Sequence, residues 1–512
     1  MRKLSLLLVL SFFISNVYAV KYSDKSYLSV RPHLTNLAMQ QTTWHTNLYR
    51  RPDAKYNGTI QIVPFYQESD NKTDIGKYFG FDWGGTRGIE NIISVESPDP
   101  AVGPNGTNRV FSALYIIHDR AGSIAAADRI QARYEMKVYQ EVLGARLDYH
   151  QDLDKILDGL YFRVSTPIVE VKNHFNTSAL ETETPQQIPG MANTSVTFLD
   201  YLAGKVENIS ANNLQDPLKY AKIDGGRHTS SGFADVDVRI GWKYWYKKRL
   251  RAGMSISLLV PTGKTPKGEW LFEPVHGNGH HWGIGGALDG VVTFWRRDNK
   301  SVEFMLNADY KYLFQGIEKR TLDFREPDPN NVTYLRGGYY VLGGQNQVAG
   351  TFPLANVLTR DIKVTPAHQF DGIAALNINL NNWIIDLGYN IFAKVKEEVH
   401  LRHPWENDKY AVAGVTYNTA NVFNLLVNGT TQSYAYNGAA NGTNAAIQEQ
   451  YLDFDAIKSP NAVTHKIFGG IGYQWNQYKY PAMFGIGGSY EFVQRNSALE
   501  GWSVWTKLGI SW

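Results

Sequence analysis

Long runs of alternating apolar and polar residues restrict the fold of this chain more than any other feature. In one run, apolar residues occupy every second position from Ala234 to Tyr244, and acidic, basic or glycine residues fill most of the positions between them. Similar runs recur at 250–260, 302–314, 383–391 and 502–512. Successive side chains of a β-strand point to opposite faces, so a period of two predicts strands with one apolar and one polar face. We therefore expect an all-β fold.

The length of these runs favours strands that cross a membrane. Soluble strands usually have about 5–6 residues, whereas membrane-spanning barrel strands need about 9–11 and carry aromatic residues near both interfaces. Aromatic residues do lie towards the ends of the runs, and we expect the following to be membrane-interface aromatics: Trp242, Tyr244, Trp282, Trp295, Trp475, Tyr480, Trp502 and Trp512. A large secreted β-sandwich or propeller is the alternative, and it explains the alternation without explaining strand length or the terminal aromatics.

The connections between the runs alternate between short and long. The short ones are 476–479, 381–382, 296–300, 245–249 and 151–158, and those between them, mostly long, are 494–500, 396–463, 316–367, 262–281 and 173–232. Outer-membrane barrels have short periplasmic turns and longer extracellular loops. The sequence therefore predicts a transmembrane antiparallel β-barrel of about 14 strands, within a range of about 12 to 16.

The expected strands can be counted back from Trp512. They are 501–512, 480–493, 464–475, 383–395, 368–380, 301–315, 282–295, 250–261, 233–244, 159–172 and 131–150, with weaker candidates at 109–118, 76–98 and 59–67. In 131–150 the apolar residues change from even to odd positions near Gly144. A β-bulge there or a hairpin would explain the change, and a hairpin would alter the strand count.

The N-terminus predicts export. Arg2 and Lys3 precede the apolar stretch 4–14, and Val17-Tyr18-Ala19 fits a cleavage site, so residues 1–19 are expected to be a secretory signal peptide. No later apolar run reaches the length that a spanning helix needs. Residues 58–512 are assigned to the barrel, and residues 20–57, which lack the period of two, to a periplasmic extension, a plug in the lumen or a flexible tail. The expected location is the outer membrane of a Gram-negative-type bacterium.

Charged side chains occupy the polar face of the predicted strands. A charge facing lipid at the membrane midplane costs about 2–4 kcal/mol, so the alternation places these residues towards the lumen. The expected lumen-lining residues are Asp235, Asp237, Arg239, Lys243, Arg251, Glu303, Asp309, Lys311, Asp371, Asp386 and Lys394. They would hydrate a pore or pair across strands, and because both signs occur, no ion preference follows.

Composition and motifs exclude several other functions. The chain has 0 Cys, which rules out disulfides and thiolate metal sites, and a net charge of +3 gives no sign of a nucleic-acid partner. The loop residues His276, His280 and His281 are weak candidates for a metal site. Clustered histidines in a glycine-rich loop are more often solvated, so no metal or other cofactor is expected. No convincing catalytic constellation is present, and we do not expect an enzyme.

Two segments resemble a known family. Gly232–Asp237 with the following strand and turn, and then 255–263, which ends in Pro261-Thr262-Gly263, resemble the long-chain fatty-acid transporter superfamily and the related barrels encoded with aromatic-degradation pathways. The strand 159–171, with Pro167 inside it, is also similar. The resemblance implies an outer-membrane transport barrel. The Asn-Pro-Ala signature of true fatty-acid transporters is absent, so the resemblance does not extend to fatty acid as the solute. The final aromatic strand resembles the signal that the barrel-assembly machinery recognises.

Two functions are open at this point. The first is an outer-membrane channel or transporter for small solutes. The sequence does not identify the solute, and a hydrophobic one is among the alternatives. The second is a non-conducting barrel whose long loops mediate adhesion or another surface interaction. In either case the expected partners are outer-membrane lipid, lipopolysaccharide and the assembly machinery. A continuous apolar lining or a gap in the wall favours hydrophobic transport, a wide polar lumen favours a porin, and a blocked lumen favours the surface role.

Overall fold

The structure is a computed structural model, and it describes a large part of the chain. The described residues are 22–43, 58–80, 92–96, 111–112, 132–179, 186–187, 195–207, 215–247, 249–325, 337–340, 342–345, 352–407, 409–412 and 447–512. The predicted signal peptide, 1–19, and the second half of 20–57 lie outside them.

Twelve antiparallel strands close into a barrel. They are β1 (Gly58–Ser69), β4 (Ala132–Asp152), β5 (Leu160–Ala179), β9 (Val236–Lys247), β10 (Leu250–Val260), β11 (Gly283–Arg297), β12 (Lys300–Leu313), β18 (Ala367–Leu380), β19 (Trp383–Lys394), β23 (Ala462–Trp475), β24 (Ala482–Val493) and β25 (Gly501–Ser511). Each pairs with the next in this order, and β1 pairs with β25 to complete the ring. Because the ring is closed, these strands leave no unpaired edge along most of their length.

The predicted count of about 14 strands is therefore higher than the observed ring, and the difference lies in residues 70–131. The candidate 76–98 overlaps the end of helix α2 (Lys72–Phe79), and the one strand among its described residues is β2 (Ile92–Glu96). The candidate 109–118 is described only at β3 (Phe111–Ser112). β2 pairs with the outer end of β4, and β3 pairs with β2, so neither joins the ring. The remaining predicted spans match barrel strands, most of them within a few residues at each end.

The segment 131–150 forms one strand, β4, rather than a hairpin. Its pairing with β5 shows no register shift, so there is no bulge at Gly144. Even-numbered side chains point inward along the whole strand: Met136 and Val138 meet an apolar core, whereas Arg146 and Asp148 meet the polar lumen. The apolar positions change parity because the surroundings of each face change along this long strand.

The outer face of the barrel is apolar and exposed. Examples are Ile256, Leu288, Leu306, Leu387 and Ile467, each between 57% and 71% exposed. Seven of the eight predicted interface aromatics are among the exposed large hydrophobic residues, and Trp475 is half-buried. A continuous apolar surface of this extent exceeds what soluble monomers usually expose.

The connections differ in length at the two ends of the barrel. The short-turn end has 153–159, 248–249, 298–299, 381–382 and 476–481, and the long-loop end has 70–131, 180–235, 261–282, 314–366, 395–461 and 494–500. At the long-loop end, apolar residues of several connections pack into one large core with the outer ends of β4 and β5. We call this folded region the cap.

The cap contains the remaining secondary structure. Its helices are α2, α3 (Phe198–Leu202) and α4 (Ala355–Leu358), with 3₁₀ turns at Gly338–Tyr340 and Glu449–Tyr451, and its strands are β6 (Gln186–Gln187), β7 (Ser195–Val196), β13 (Gly316–Thr321), β14 (Asp323–Phe324), β15 (Leu342–Gln345), β16 (Phe352–Pro353), β17 (Thr359–Thr365), β20 (Glu398–Leu401), β21 (Tyr410–Val412) and β22 (Leu452–Asp453). Helix α1 (Leu37–Gln41) and strand β8 (Arg227–Phe233) belong to the lumen and the wall, as set out below. Across the part of the chain that is described, no helix combines the length and hydropathy required to cross a membrane.

Candidate functional site in the barrel lumen

Four of the predicted lumen residues form one ion-pair network. Arg239 contacts Asp237 at 3.2 Å and Asp309 at 2.5 Å, and Lys311 contacts the same two carboxylates at 3.3 and 3.0 Å. The network spans from β9 to β12, across β10 and β11. Small inward residues there, such as Ser255 and Ala287, leave room for it. Two acids and two bases neutralise each other, as buried charges require.

The other predicted residues do not join that network. Arg251 pairs with Glu303, and Lys243 pairs with Asp152 of β4 at 2.5 Å. The remaining four, Asp235, Asp371, Asp386 and Lys394, contact chain segments that lie inside or against the barrel rather than other wall charges.

The main partner of these charges is residues 22–43, which we call the lumen segment. Its Arg31 donates to Glu491 at 2.8 Å, to Asp371 at 3.1 Å and to the Asn390 amide oxygen at 3.0 Å, and it stacks over Phe392. One guanidinium therefore ties the segment to β18, β19 and β24.

Helix α1 of the lumen segment lies among apolar wall residues. The Asn36 side chain accepts from the Met39 N–H and caps the helix, and Asp371 accepts from the Leu37 N–H at 3.2 Å. Leu37, Ala38 and Met39 pack in a buried cluster with inward side chains of the wall: Val63, Phe65, Val142, Val169, Val171, Ala234, Val291, Met305, Ile373, Ala375, Phe468, Met483 and Trp505. We call these wall residues the apolar lumen cluster.

The apolar lumen cluster does not follow from the sequence prediction, which places the polar face of each strand towards the lumen and takes no account of apolar residues on that face. Met305 lies between Glu303 and Asn307, and Trp505 lies between Ser503 and Lys507, in the inward phase of their strands. A bulky apolar residue that interrupts a polar face was the available signal.

Wall charges also bind the backbone of the lumen segment. Lys394 donates to the Ser29 carbonyl at 2.6 Å, and Arg146 donates to the Leu34 carbonyl at 2.8 Å. Lys507 donates to the carbonyls of Gln40, at 2.9 Å, and of Thr42. These contacts hold the path of the chain whatever its side chains are.

The end of the lumen segment lies against glycines of β23 and β24. A Cβ placed on Gly470 would lie 2.3 Å from Thr42 Cγ2, and one on Gly472 would lie 2.8 Å from Thr43 Cγ2. A Cβ on Gly485 would lie 2.9 Å from Thr43 Oγ1. We call these three residues the glycine slot, because only a wall without side chains lets Thr42 and Thr43 approach so closely.

The wall is interrupted between β8 and β9. β8 pairs with 168–174 of β5 and β9 pairs with 160–165, so the two strands form one line broken at Ala234 and Asp235. Asp235 has a φ of +69°. Only β9, and not β8, pairs with β10 among the described residues, which leaves a lateral gap beside β8.

The connection 261–282 covers this gap. Its Gly263 N–H donates to Asp235 at 3.2 Å, and the His276 imidazole is 2.8 Å from the Ser230 hydroxyl. Asp235, expected to line the lumen, is thus fully buried as an anchor for this connection.

A pocket lies between the lumen segment and the same connection. Its space, counted together with the solvent at its opening, is about 820 Å³, and its lining is mixed: Leu28, Trp270 and Phe272 are apolar, whereas Glu273 and Arg320 are charged. A smaller space of about 370 Å³ adjoins Arg31 and His33. Burial, with a smaller contribution from the nearby His276, lowers the pKa of His33 to about 4.

The three histidines considered for a metal bind different partners. His276 contacts Ser230, His280 contacts the Gly263 carbonyl at 3.1 Å, and His281 contacts Glu318 at 2.8 Å. Burial lowers the pKa of His281, but the hydrogen bond and charge of Glu318 together with the Phe314 carbonyl outweigh it, so the pKa of His281 is raised. Within the described ranges, no three His, Asp or Glu side chains are grouped so as to hold a metal ion.

The chain is similar to solved structures, but not to curated sequences. No protein-family model and no curated protein sequence matches the chain. Among solved structures, an outer-membrane channel from Pseudomonas putida F1 is 10% identical, covers 89% of this chain and 96% of its own, and has a TM-score of 0.35. The Pseudomonas putida toluene transporter TodX is 10% identical, with coverages of 97% and 99% and a TM-score of 0.34.

A third similar structure is a FadL homologue from Pseudomonas aeruginosa. It is 9% identical, covers 89% of this chain and 88% of its own, and has a TM-score of 0.23. Identities and TM-scores this low assign neither a family nor a function to the chain.

Proposed function

We propose that the protein is an outer-membrane channel or transporter for small solutes with substantial apolar surface. One observation carries the proposal: a closed barrel has an apolar cluster inside its lumen, and helix α1 of the lumen segment fills it with Leu37, Ala38 and Met39. A barrel without a transport role has no evident need for apolar side chains in its lumen that a separate chain segment must cover. The lumen segment therefore acts as a plug that a solute replaces.

The outer surface supports insertion in a membrane. Burying the exposed apolar face in lipid is favourable, at about 25 cal/mol per Å², and the exposed aromatics fit the two interfaces. The long-loop end, with its cap, then faces outward and the short-turn end faces the periplasm, after export directed by residues 1–19.

The lateral gap supports an apolar solute in particular. Phe233 and Leu258 are exposed on the outer face beside it, and the connection 261–282 is held there by hydrogen bonds rather than by strand pairing. A solute that leaves the lumen sideways at this point enters the apolar layer without crossing water.

A non-conducting surface barrel is the second candidate. The filled lumen and the extensive cap favour it, because a barrel that only displays loops has no need of an open path. The two candidates differ in one measurable property, which is whether displacement of the lumen segment opens a conducting path.

Single-channel recording in planar bilayers tests this difference. The double variant Asp371→Asn/Glu491→Gln weakens the hold on Arg31, and Asp309→Asn is the control because it alters a wall ion pair that the lumen segment does not touch. We expect longer and more frequent openings in the double variant than in the wild type or the control. If the double variant, folded, conducts no more than the control, the plug proposal is wrong and the surface role is favoured.

Solute chemistry needs a separate measurement. Relative to protein-free liposomes, liposomes that contain the double variant should gain more permeability to small aromatic hydrocarbons than to sugars of similar size. Equal rates, or faster entry of the sugar, would show that the apolar lumen cluster does not select the solute.

A further inference from the structure

One peptide group of the lumen segment is held between two opposite charges of the wall. The Thr42 carbonyl accepts from the Lys507 ammonium, and the Thr43 N–H donates to Asp386 Oδ2 at 2.6 Å. These two atoms belong to the same peptide bond. Lys507 is 1% exposed and Asp386 is 0% exposed, so a buried cation and a buried anion share one neutral amide as their partner.

Neither charge is in direct contact with an opposite charge among the described residues, although the carboxylates of Asp148 and Asp386 act on Lys507 from further away. Within the described residues, no ion pair within 4.0 Å includes Lys507 or Asp386. The other hydrogen bonds of the two groups are to neutral ones: Lys507 donates to the Gln40 carbonyl, and Asp386 accepts from the Asn377 amide at 2.7 Å. Buried charges require hydrogen-bond partners, and here amide groups supply them.

The site fits the backbone of its occupant better than its side chains. The glycine slot leaves room for a slender chain with small side groups. The side-chain amide of Gln41 and the Thr43 hydroxyl are buried and have no hydrogen-bond partner among the described residues. Thr43 also has a φ of +60°, which is costly for a residue other than glycine. The site therefore holds Thr42 and Thr43 by their peptide group and leaves nearby side-chain groups without hydrogen bonds to the described residues. Another secondary amide could replace this peptide group.

We propose that Lys507, Asp386 and the glycine slot form a binding site for a secondary amide flanked by small groups, such as a short peptide or a peptide-like solute. Thr42 and Thr43 are its resident occupant. The ammonium binds the carbonyl oxygen and the carboxylate binds the N–H. The inference rests on the proposed channel function only for the route by which the solute reaches the slot.

Two substitutions of Thr43 are compared: one is expected to remove Thr42 and Thr43 from the amide site, and the other is expected to leave them there. Proline has no N–H and fixes φ near −65°, so Thr43→Pro removes the donor to Asp386 and the backbone shape that reaches it. Glycine keeps the N–H and accepts positive φ, so Thr43→Gly retains the occupant. Neither change alters the wall of the barrel.

The probes are N-isopropyl-lactamide and isopropyl lactate, an amide and an ester of the same shape that differ in one N–H. Binding to full-length protein in detergent is measured by saturation-transfer NMR against detergent alone. We expect the Thr43→Pro variant to bind the amide at least about ten-fold more tightly than the ester. The ester has no N–H and so cannot donate a hydrogen bond to the charged Asp386. Thr43→Gly should show the weak binding of the wild type.

Adding Lys507→Met to Thr43→Pro should weaken amide binding about ten-fold, and heat-modifiable migration checks its folding. The comparison of amide with ester on Thr43→Pro needs no change in the wall, so it decides the matter even if Lys507→Met fails to fold. Equal binding of the two probes, or equal binding by the two Thr43 variants, overturns the proposal. Currents through Thr43→Pro without amide preference refute the amide site alone, and amide preference without currents refutes the channel alone.

Discussion

Release of the lumen segment can be measured at Arg31. The Arg31→Met variant keeps an unbranched apolar stem in place of the arginine methylenes and removes the ion pairs with Asp371 and Glu491, both of which are buried. Loss of one partner of a buried pair costs about 3–5 kcal/mol, because a buried charge is left without compensation. Here Glu491 retains Lys466 at 2.9 Å and Asp371 retains the Leu37 N–H. We therefore expect the lower end, about 3 kcal/mol.

That free energy has a direct kinetic consequence. About 1.4 kcal/mol changes an equilibrium constant ten-fold, so the released fraction of the lumen segment should rise by about a hundred-fold. Ala38 is fully buried in the apolar lumen cluster, and the chain has 0 Cys. An Ala38→Cys background therefore carries a single thiol, which becomes accessible to maleimide only when the segment leaves its place.

The assay compares maleimide labelling rates of folded protein. We expect Arg31→Met in the Ala38→Cys background to react about a hundred-fold faster than Ala38→Cys alone, since labelling follows the open population. Arg296→Met is the matched control, because Arg296 pairs with Glu303 on a 43% exposed side chain away from the segment, where an ion pair contributes little. If Arg31→Met reacts within a few-fold of this control, the argument that Arg31 anchors the segment is refuted.

Three further predictions concern the barrel, the cap and pH. Unheated protein should migrate differently from boiled protein on gels, as closed barrels do, and identical migration would contradict the closed ring. Arg320→Met should lower the melting temperature of the cap, because Arg320 is buried against Glu318 and Glu397; an unchanged thermal unfolding curve would contradict this. Burial lowers the pKa of His33 from 6.5 to about 4. Between these pH values the imidazole is protonated when the segment is released and neutral when the segment is packed, so lower pH favours release. Channel openings should therefore increase as pH falls from about 6.5 to about 4, and His33→Gln should flatten that part of the pH profile.

Strand positions could be read from the sequence because one physical rule sets them. Each wall residue faces either outward or inward, so the period of two marks both the strand and the sidedness of its residues. The span 383–395 was expected and Trp383–Lys394 is observed. The strand count followed less directly: the observed ring lies at the lower end of the expected range, because the described strands within 70–131, β2 and β3, lie at the extended end of β4 outside the ring.

The lumen segment could not be read in the same way. Its path is set by Lys394, Arg146 and Lys507, which bind carbonyl oxygens that every residue type possesses. Backbone recognition leaves no periodic trace in the sequence of the segment that is bound. The trace lies instead in the wall, as glycines at 470, 472 and 485 and as apolar residues in a polar phase, and neither has a meaning until the segment is seen against them.

Asp371 and Glu491 pair with Arg31 of the lumen segment, but two other classes of buried lumen charge form no ion pair with the segment, and they bear on how the barrel can open. Arg239, Asp237, Asp309 and Lys311 neutralise one another and all belong to the wall. Lys507 and Asp386 bind a neutral peptide group of the lumen segment. Departure of the segment leaves the first class paired, and water can replace the amide at the second, where a hydrogen bond to a charged group contributes about 1.5–3 kcal/mol. The wall can therefore keep its structure while its occupant is exchanged, which a lumen sealed by ion pairs to the segment alone could not do.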